Sequence, residues 1–197
     1  MRTANILLVG ESKSGKDTLI NVLSKGKFIE EYEATQKGKI KYVIINSKFR
    51  SDKFKTLMTI VFTPLLGIYA LKIDAINFIN TSGHNLEDTE KYVDNFCGAI
   101  LIDNLVVLIM IYVFDASKFY IDKNIKLGIQ HTINECKHKN NNSKLFKIKY
   151  LALGTRASEV EDKEKLEDEV KRMGIECCIF DLKDIPIEKI LKFIFRG

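Results

Sequence analysis

Apolar residues fall along this chain in short unbroken runs separated by stretches of helical spacing. Asn5 to Val9 (NILLV) is one such run, the form expected of a strand buried on both faces of a parallel sheet. Val106 to Phe114 (VVLIMIYVF) is the most apolar run and predicts a central strand. KIKYVIINSKF from Lys39, LKIDAINFIN from Leu71, KIKYLAL from Lys147 and IECCIF from Ile175 predict four more. Between these runs the apolar spacing changes. A helix is expected from about Lys16 to Ser24, stopped near Gly26, and another from Leu86 to Cys97. Ile121, Ile125, Ile129 and Ile133 recur every four residues and predict one stripe on a long helix. Leu166, Val170 and Met173 mark a further helix ended by Gly174. Asp184 is expected to cap, and Pro186 to start, a last helix through Ile194.

Strands alternating with helices predict an α/β fold, with a six-stranded, mostly parallel sheet and helices on both faces. At 197 residues the chain is read as a single domain, 1–197, with an insertion at about 50–68. No repeat divides it, and KHKNNNSK (Lys137 to Lys144) reads as a solvated loop.

Composition narrows the class. A hydrophobic content of 46% is enough for a sizeable core. The net charge of +5, from 31 basic and 26 acidic residues, is mild and spread out, so no nucleic-acid partner is expected. Cys97, Cys136, Cys177 and Cys178 lack metal-ligand spacing and read as reduced, buried thiols of a cytoplasmic protein. Adjacent Cys177 and Cys178 would face opposite sides of a strand. Thr56 to Leu71 is shorter than a membrane span and holds Pro64 and Gly67; Ala99 to Phe114 carries Asp103 and Asn104. Neither supplies a clean span, so no transmembrane segment is expected. The lysines from Lys37 to Lys55 form a basic stretch, which reads either as a solvated face or as a surface for an acidic partner or an anionic membrane.

The chemistry begins where the first strand ends. Gly10 to Lys16 (GESKSGK) fits the phosphate-loop spacing G-x-x-x-x-G-K. Gly10 and Gly15 permit the turn, and backbone N–H groups through Ser12, Lys13 and Ser14 would cradle phosphate oxygens. Lys16 would reach the terminal phosphates, and the start of the following helix would add its positive end. Asp17 then breaks the pattern, because an acid stands where a hydroxyl is expected; Thr18 follows it.

Later loops carry NTSGH (Asn80 to His84), YVFDAS (Tyr112 to Ser117), GTRASE (Gly154 to Glu159) and FDLKD (Phe180 to Asp184). With these in order, the chain resembles the Ras-like small GTPases over nearly its whole length. VLIMIYVFDAS and the GIECCIF region look most like the Rag/Gtr branch. The resemblance implies a P-loop G domain that binds GTP and GDP with Mg2+. The family's D-x-x-G becomes Asn80-Thr81-Ser82-Gly83, and His84 falls where the family often has a water-orienting glutamine. Lys16 and His84 are thus the catalytic candidates. The base-reading N-K-x-D looks like Thr155, Arg156, Ala157 and Ser158, and S-A-K looks like Asp181, Leu182 and Lys183. Thr155, Arg156, Ser158, Lys183 and Gly83 thereby join the loop Gly10 to Thr18 as nucleotide-binding candidates. Asp17 and Thr35 are the candidate metal ligands, with Thr35 in YEAT (Tyr32 to Thr35); TPLLG (Thr63 to Gly67) is the competing choice for the first switch.

Ser158 cannot accept two hydrogen bonds from guanine as an acid does, so weakened guanine selectivity is expected. Hydrolysis is expected to be slow or partner-dependent. A protein partner, or a second copy in a homodimer, is expected at the switch region or at the apolar segment 57–66, with the protein either free in the cytoplasm or peripheral at a membrane. Two other readings stay open. One is a pseudo-GTPase interaction module without turnover. The other is a nucleoside monophosphate kinase-like phosphotransferase, suggested by G-K-D-T and opposed by the lack of an arginine-rich lid.

Overall fold

The computed structural model describes residues 3–25, 40–46, 59–62, 69–72, 75–81, 87–98, 107–143 and 147–195. In chain order these form β1 (Thr3–Val9), α1 (Lys16–Lys25), β2 (Ile40–Asn46), β3 (Thr59–Phe62), β4 (Tyr69–Lys72), β5 (Ala75–Thr81) and α2 (Glu87–Gly98). Then come β6 (Val107–Asp115), a 3-10 turn (Ala116–Lys118), α3 (Lys123–Asn142), β7 (Ile148–Thr155), a second 3-10 turn (Ala157–Glu159), α4 (Lys163–Arg172), β8 (Glu176–Ile179) and α5 (Ile187–Phe195).

The main sheet has six strands in the order β2-β5-β1-β6-β7-β8. β5, β1, β6, β7 and β8 are mutually parallel, and β2 runs antiparallel to β5 at one edge. β3 and β4 pair with each other in a separate two-stranded sheet, between β2 and β5 in sequence.

The apolar runs are continuous because both faces of the sheet are covered. Ile6 and Leu8 of β1, with Ile109, Ile111 and Val113 of β6, join Leu19 and Leu23 of α1 and Ile190 and Ile194 of α5 in one core. Leu7 and Val9, with Leu108, Met110 and Phe114, join Val93 and Phe96 of α2, Ile129 and Ile133 of α3, and Leu166 and Val170 of α4 in the other. Successive residues of a strand point to opposite faces, so a doubly covered strand has no polar phase. Cys177 lies in the three-helix core while Cys178 packs against the two-helix core, and all four thiols are free. Among the described residues no helix is long and apolar enough to cross a membrane.

Three local expectations need correction. KHKNNNSK is not a loop over Lys137 to Asn142: the helix α3 runs on through Asn142 and is capped at Ser143, because lysine, histidine and asparagine on its outer side are compatible with a solvated helix face as well as with a loop. Ile121 is not part of the α3 stripe: it lies in the turn before the capping residue Asp122 and is 83% exposed. The four-residue rhythm simply continues one step beyond the helix start. Nor is Leu71 to Asn80 one strand. β4 ends at Lys72 and pairs with β3 in the small sheet, whereas β5 begins at Ala75 and pairs with β1 and β2 in the main one, so the two segments serve different sheets.

The strand order positions the site. From β1 the chain builds β2 and β5 on one side, then crosses to build β6, β7 and β8 on the other. The order therefore reverses at β1, and in open α/β sheets the crevice beyond the carboxyl end of such a strand is where ligands bind. Gly10 to Lys16 is the segment that leaves β1 there.

Candidate functional site

The β1–α1 loop is shaped by contacts that tolerate little else. Gly10 has φ 132°, and a Cβ there would lie 2.0 Å from the Val113 carbonyl oxygen of β6. Gly15 has φ 97°, and its Cβ would lie 2.7 Å from Thr155 Cγ2. Lys13 also takes a left-handed conformation, at φ 63°. Ser12 and Lys13 are exposed at the loop's outer bend, whereas Ser14 is buried. The turn closes through Ser14 N–H to the Glu11 carbonyl, and α1 opens with Leu19 N–H donating to the Gly15 carbonyl at 2.8 Å.

Lys16 is the centre of this loop. It is only 4% exposed, yet it is a cation. Its Nζ donates to the carbonyls of Gly10 and Glu11, each at 2.7 Å, and approaches Ser14 Oγ at 3.4 Å. Those neutral acceptors compensate its lost hydration only in part. Burial lowers its pKa to about 8, against the opposing pull of Asp17 and Glu11. A buried cation held at a sheet's switch point is suited to an anionic group.

Asp17 and Asn80 meet. Asn80, fully buried at the end of β5, donates its amide Nδ2 to Asp17 Oδ1 at 2.8 Å. Thr81 Oγ1 donates to the Leu8 carbonyl at 2.9 Å and holds the ends of β5 and β1 together. Thr18, half-buried, follows in the first turn of α1.

The loop after β7 joins the same centre. Thr155 Oγ1 donates to the Ser14 carbonyl at 3.0 Å and the Phe114 carbonyl at 3.2 Å, so this residue fixes the phosphate-type loop to the β6 and β7 ends. Arg156 adopts φ 59°, and its Nη1 lies 3.3 Å from Asp115 Oδ2 and 3.8 Å from Glu159 Oε2. Ser158 Oγ donates to Asp181 Oδ2, and the Lys183 backbone N–H donates to Asp181 Oδ1 at 3.1 Å. Thr155, Arg156, Ser158 and Lys183 thus cluster with Asp181, while Gly10, Gly15, Lys16, Asp17 and Asn80 form the adjoining part. Thr35, Gly83 and His84 lie outside the described residues, as do Tyr32 to Thr35, Thr63 to Gly67 and most of segment 57–66.

Several members of the site went unassigned in the sequence. Asp115, 5% exposed, accepts from Ser117 N–H and Oγ and caps the 3-10 turn; the D-A-S spacing carries that signal. Glu11 has its carboxyl pKa raised by burial and by the facing carboxylate of Asp122, which caps α3 through Asn124 N–H. No local pattern announces that contact between residues far apart in sequence. Asp181 was visible only as the residue standing where the family has serine.

For a divalent cation the donor set is hard oxygen, the Asp17 carboxylate with the Asn80 amide beside it. Among the described residues no group of three or more acidic, histidine or cysteine side chains gathers to hold a metal. Mg2+ commonly keeps several waters and takes one or two carboxylates together with phosphate oxygens, so the residues present fit such an ion when a phosphate is bound. No protein-family model matches this chain, and no curated protein matches it in sequence. What fold and site define is therefore a class: an α/β protein, consistent with a P-loop-like fold, with a glycine-bounded loop and a buried lysine at its sheet's switch point.

Proposed function

We propose that this chain is a P-loop nucleotide-binding protein of the small-GTPase type. In this reading it is a molecular switch that binds GTP and GDP with Mg2+ and hydrolyses slowly or with a partner's help. The observation that carries the reading is Lys16. A lysine is buried inside a glycine loop, its ammonium is donated to the Gly10 and Glu11 carbonyls, and this happens at the carboxyl end of the strand where the sheet order reverses. The tie from Thr155 to the loop and the Ser158–Asp181 contact support it further, because they hold the loops after β7 and β8 beside the Lys16 loop, where the base end would lie in this reading.

In this reading the chain's own groups divide the work. Backbone N–H groups of the Gly10 to Lys16 loop orient phosphates, and Lys16 holds charge on the terminal ones. Mg2+, when bound, would supply further neutralisation of phosphate charge. Asp17 is the described residue that would hold it, with Thr35 added by the resemblance. His84 is the proposed water-orienting group, and the region of segment 57–66 the proposed partner surface.

Lys16→Ala tests the reading. Titration with GTP and ATP in the presence of Mg2+ is expected to give at least a hundredfold loss of affinity for whichever nucleotide the unaltered chain binds, on the order of two charge-assisted contacts. Unchanged affinity in the variant refutes the phosphate-loop assignment. The pseudo-GTPase reading has one observation in its favour: the Asn80 amide already engages the acid that would take the metal. Nucleotide binding without any turnover selects it. The phosphotransferase reading is disfavoured by the chain's five arginines, which form no cluster after the middle strands.

A further inference from the structure

Two pairs of residues in this site hold acid and neutral partner in exchanged positions. Asp17 stands where a hydroxyl is expected and Asn80 where an acid is expected; in the fold they are hydrogen-bonded at 2.8 Å. Ser158 stands at the acid position of the N-K-x-D loop and Asp181 at the serine position of the S-A-K loop, and Ser158 Oγ donates to Asp181 Oδ2. Simple erosion of a site does not place each lost acid on the residue touching the position that lost it.

The second pair sits on one continuous surface. Ala157 N–H donates to the Phe180 carbonyl at 3.3 Å and Phe180 N–H to the Gly154 carbonyl at 2.9 Å, so the loops after β7 and β8 are tied into one unit. Thr155 joins that unit to the Lys16 loop. Building on the nucleotide-binding reading, we infer that Asp181 is the specificity-determining residue at the base end: its carboxylate, rather than the Ser158 hydroxyl, accepts the adjacent N–H groups of a 2-amino-6-oxopurine.

The chemistry of the groups favours this assignment. A guanine edge presents N1–H and an exocyclic amino N–H side by side. Adenine presents an acceptor at N1. An ionised carboxylate only accepts, so it welcomes the first and repels the second, whereas a hydroxyl donates or accepts and discriminates little. Asp181 is half-exposed, and the Ser158 hydroxyl and the Lys183 and Ser158 backbone N–H groups keep its carboxyl below the usual carboxylate range. The backbone donors fix its plane. The Ser158 hydroxyl is a rotor that turns aside to release its share of Oδ2 to a ligand.

The experiment measures affinities for GTP, XTP and ATP with Mg2+, using the unaltered chain, Asp181→Asn and the double re-exchange Ser158→Asp with Asp181→Ser. Xanthine replaces guanine's amino donor by a carbonyl acceptor, which an asparagine amide complements. Asp181→Asn is expected to weaken GTP by about tenfold or more while strengthening XTP, inverting their ratio. The re-exchanged chain should keep the GTP preference, which retains a test should Asp181→Asn fail to fold; binding of inorganic tripolyphosphate reports an intact loop in each variant. A GTP:XTP ratio unmoved by Asp181→Asn, or an unaltered chain that prefers ATP or shows no base preference, overturns the inference while leaving the phosphate-loop reading standing. An unaltered chain that binds no triphosphate overturns both.

Discussion

Lys16 is a buried cation whose protonation is set by its surroundings. Its pKa of about 8 comes from burial, so the folded chain without ligand disfavours the charged form. Across pH 8 to about 10.5 the unfolded chain binds more protons than the folded one, and this group makes stability rise with pH through that window. In the nucleotide-binding reading a polyphosphate would reverse the preference, because an anion beside Nζ favours the ammonium. Calorimetric titration near pH 8.5, in buffers of different ionisation enthalpy, is expected to show uptake of a sizeable fraction of a proton per nucleotide bound, falling towards zero near pH 6.5. Equal uptake at both pH values removes Lys16 as the linked group. Its neighbour Asp17 offers a second measurement. An acid beside phosphates is repelled unless a cation lies between, since close like charges in a poorly solvated site are costly. Asp17→Ser and Asn80→Asp should each alter Mg2+-dependent nucleotide affinity, and the pair together should recover part of the loss, a coupling expected between side chains in direct contact. Additive effects, or tighter binding from Asp17→Ser alone, would mean that Asp17 opposes phosphate binding and holds no metal.

At the scale of elements, α3 approaches the sheet over a glycine. A Cβ on Gly128 would lie 2.1 Å from Tyr112 Oη and 2.5 Å from Tyr112 Cζ, with Tyr112 buried in β6. The ring is rigid and packed near Phe114, centroids 6.5 Å apart, so it has no easy retreat. Gly128→Ala should therefore destabilise the fold by about 1–3 kcal/mol despite alanine's better helix propensity, read as a lowered urea midpoint. Adding Tyr112→Phe should relieve only part of this, because the ring carbon remains. Much at this scale was legible beforehand. β1 and β6 announce themselves because burial on two faces removes every polar phase, and the β1–α1 loop because Gly10, Gly15 and Lys16 must stand at fixed offsets. What escaped is what depends on distant pairing. The turn carrying Ile121 mimics helix rhythm, and β4 and β5 are told apart only by their pairing in different sheets. Asn80 and Asp17 meet across 63 residues with no periodicity to reveal it.

The whole molecule divides along its sheet in a way the chain order makes plain. Residues up to Gly98 supply β2, β5 and β1, and residues from Val107 onward supply β6, β7 and β8. Among the described residues the one strand ladder between these halves is β1 with β6, from Ala4 against Val107 to Val9 against Tyr112. Around it, α1 of the first half shares a core with α5 of the second, and α2 shares the other core with α3 and α4. Lys16, Asp17 and Asn80 belong to the first half; Thr155, Ser158 and Asp181 belong to the second. The alternation of strands and helices was readable from the sequence, but this partition was not, because it follows from the point at which the strand order reverses. A ligand that touches both groups spans a seam between two contiguous pieces of chain. Its binding energy is then also cohesion between them, available to the folded state and absent from the unfolded one. In the nucleotide-binding reading the ligand would act as a clasp between the N-terminal and C-terminal leaves of one polypeptide, lying along their join.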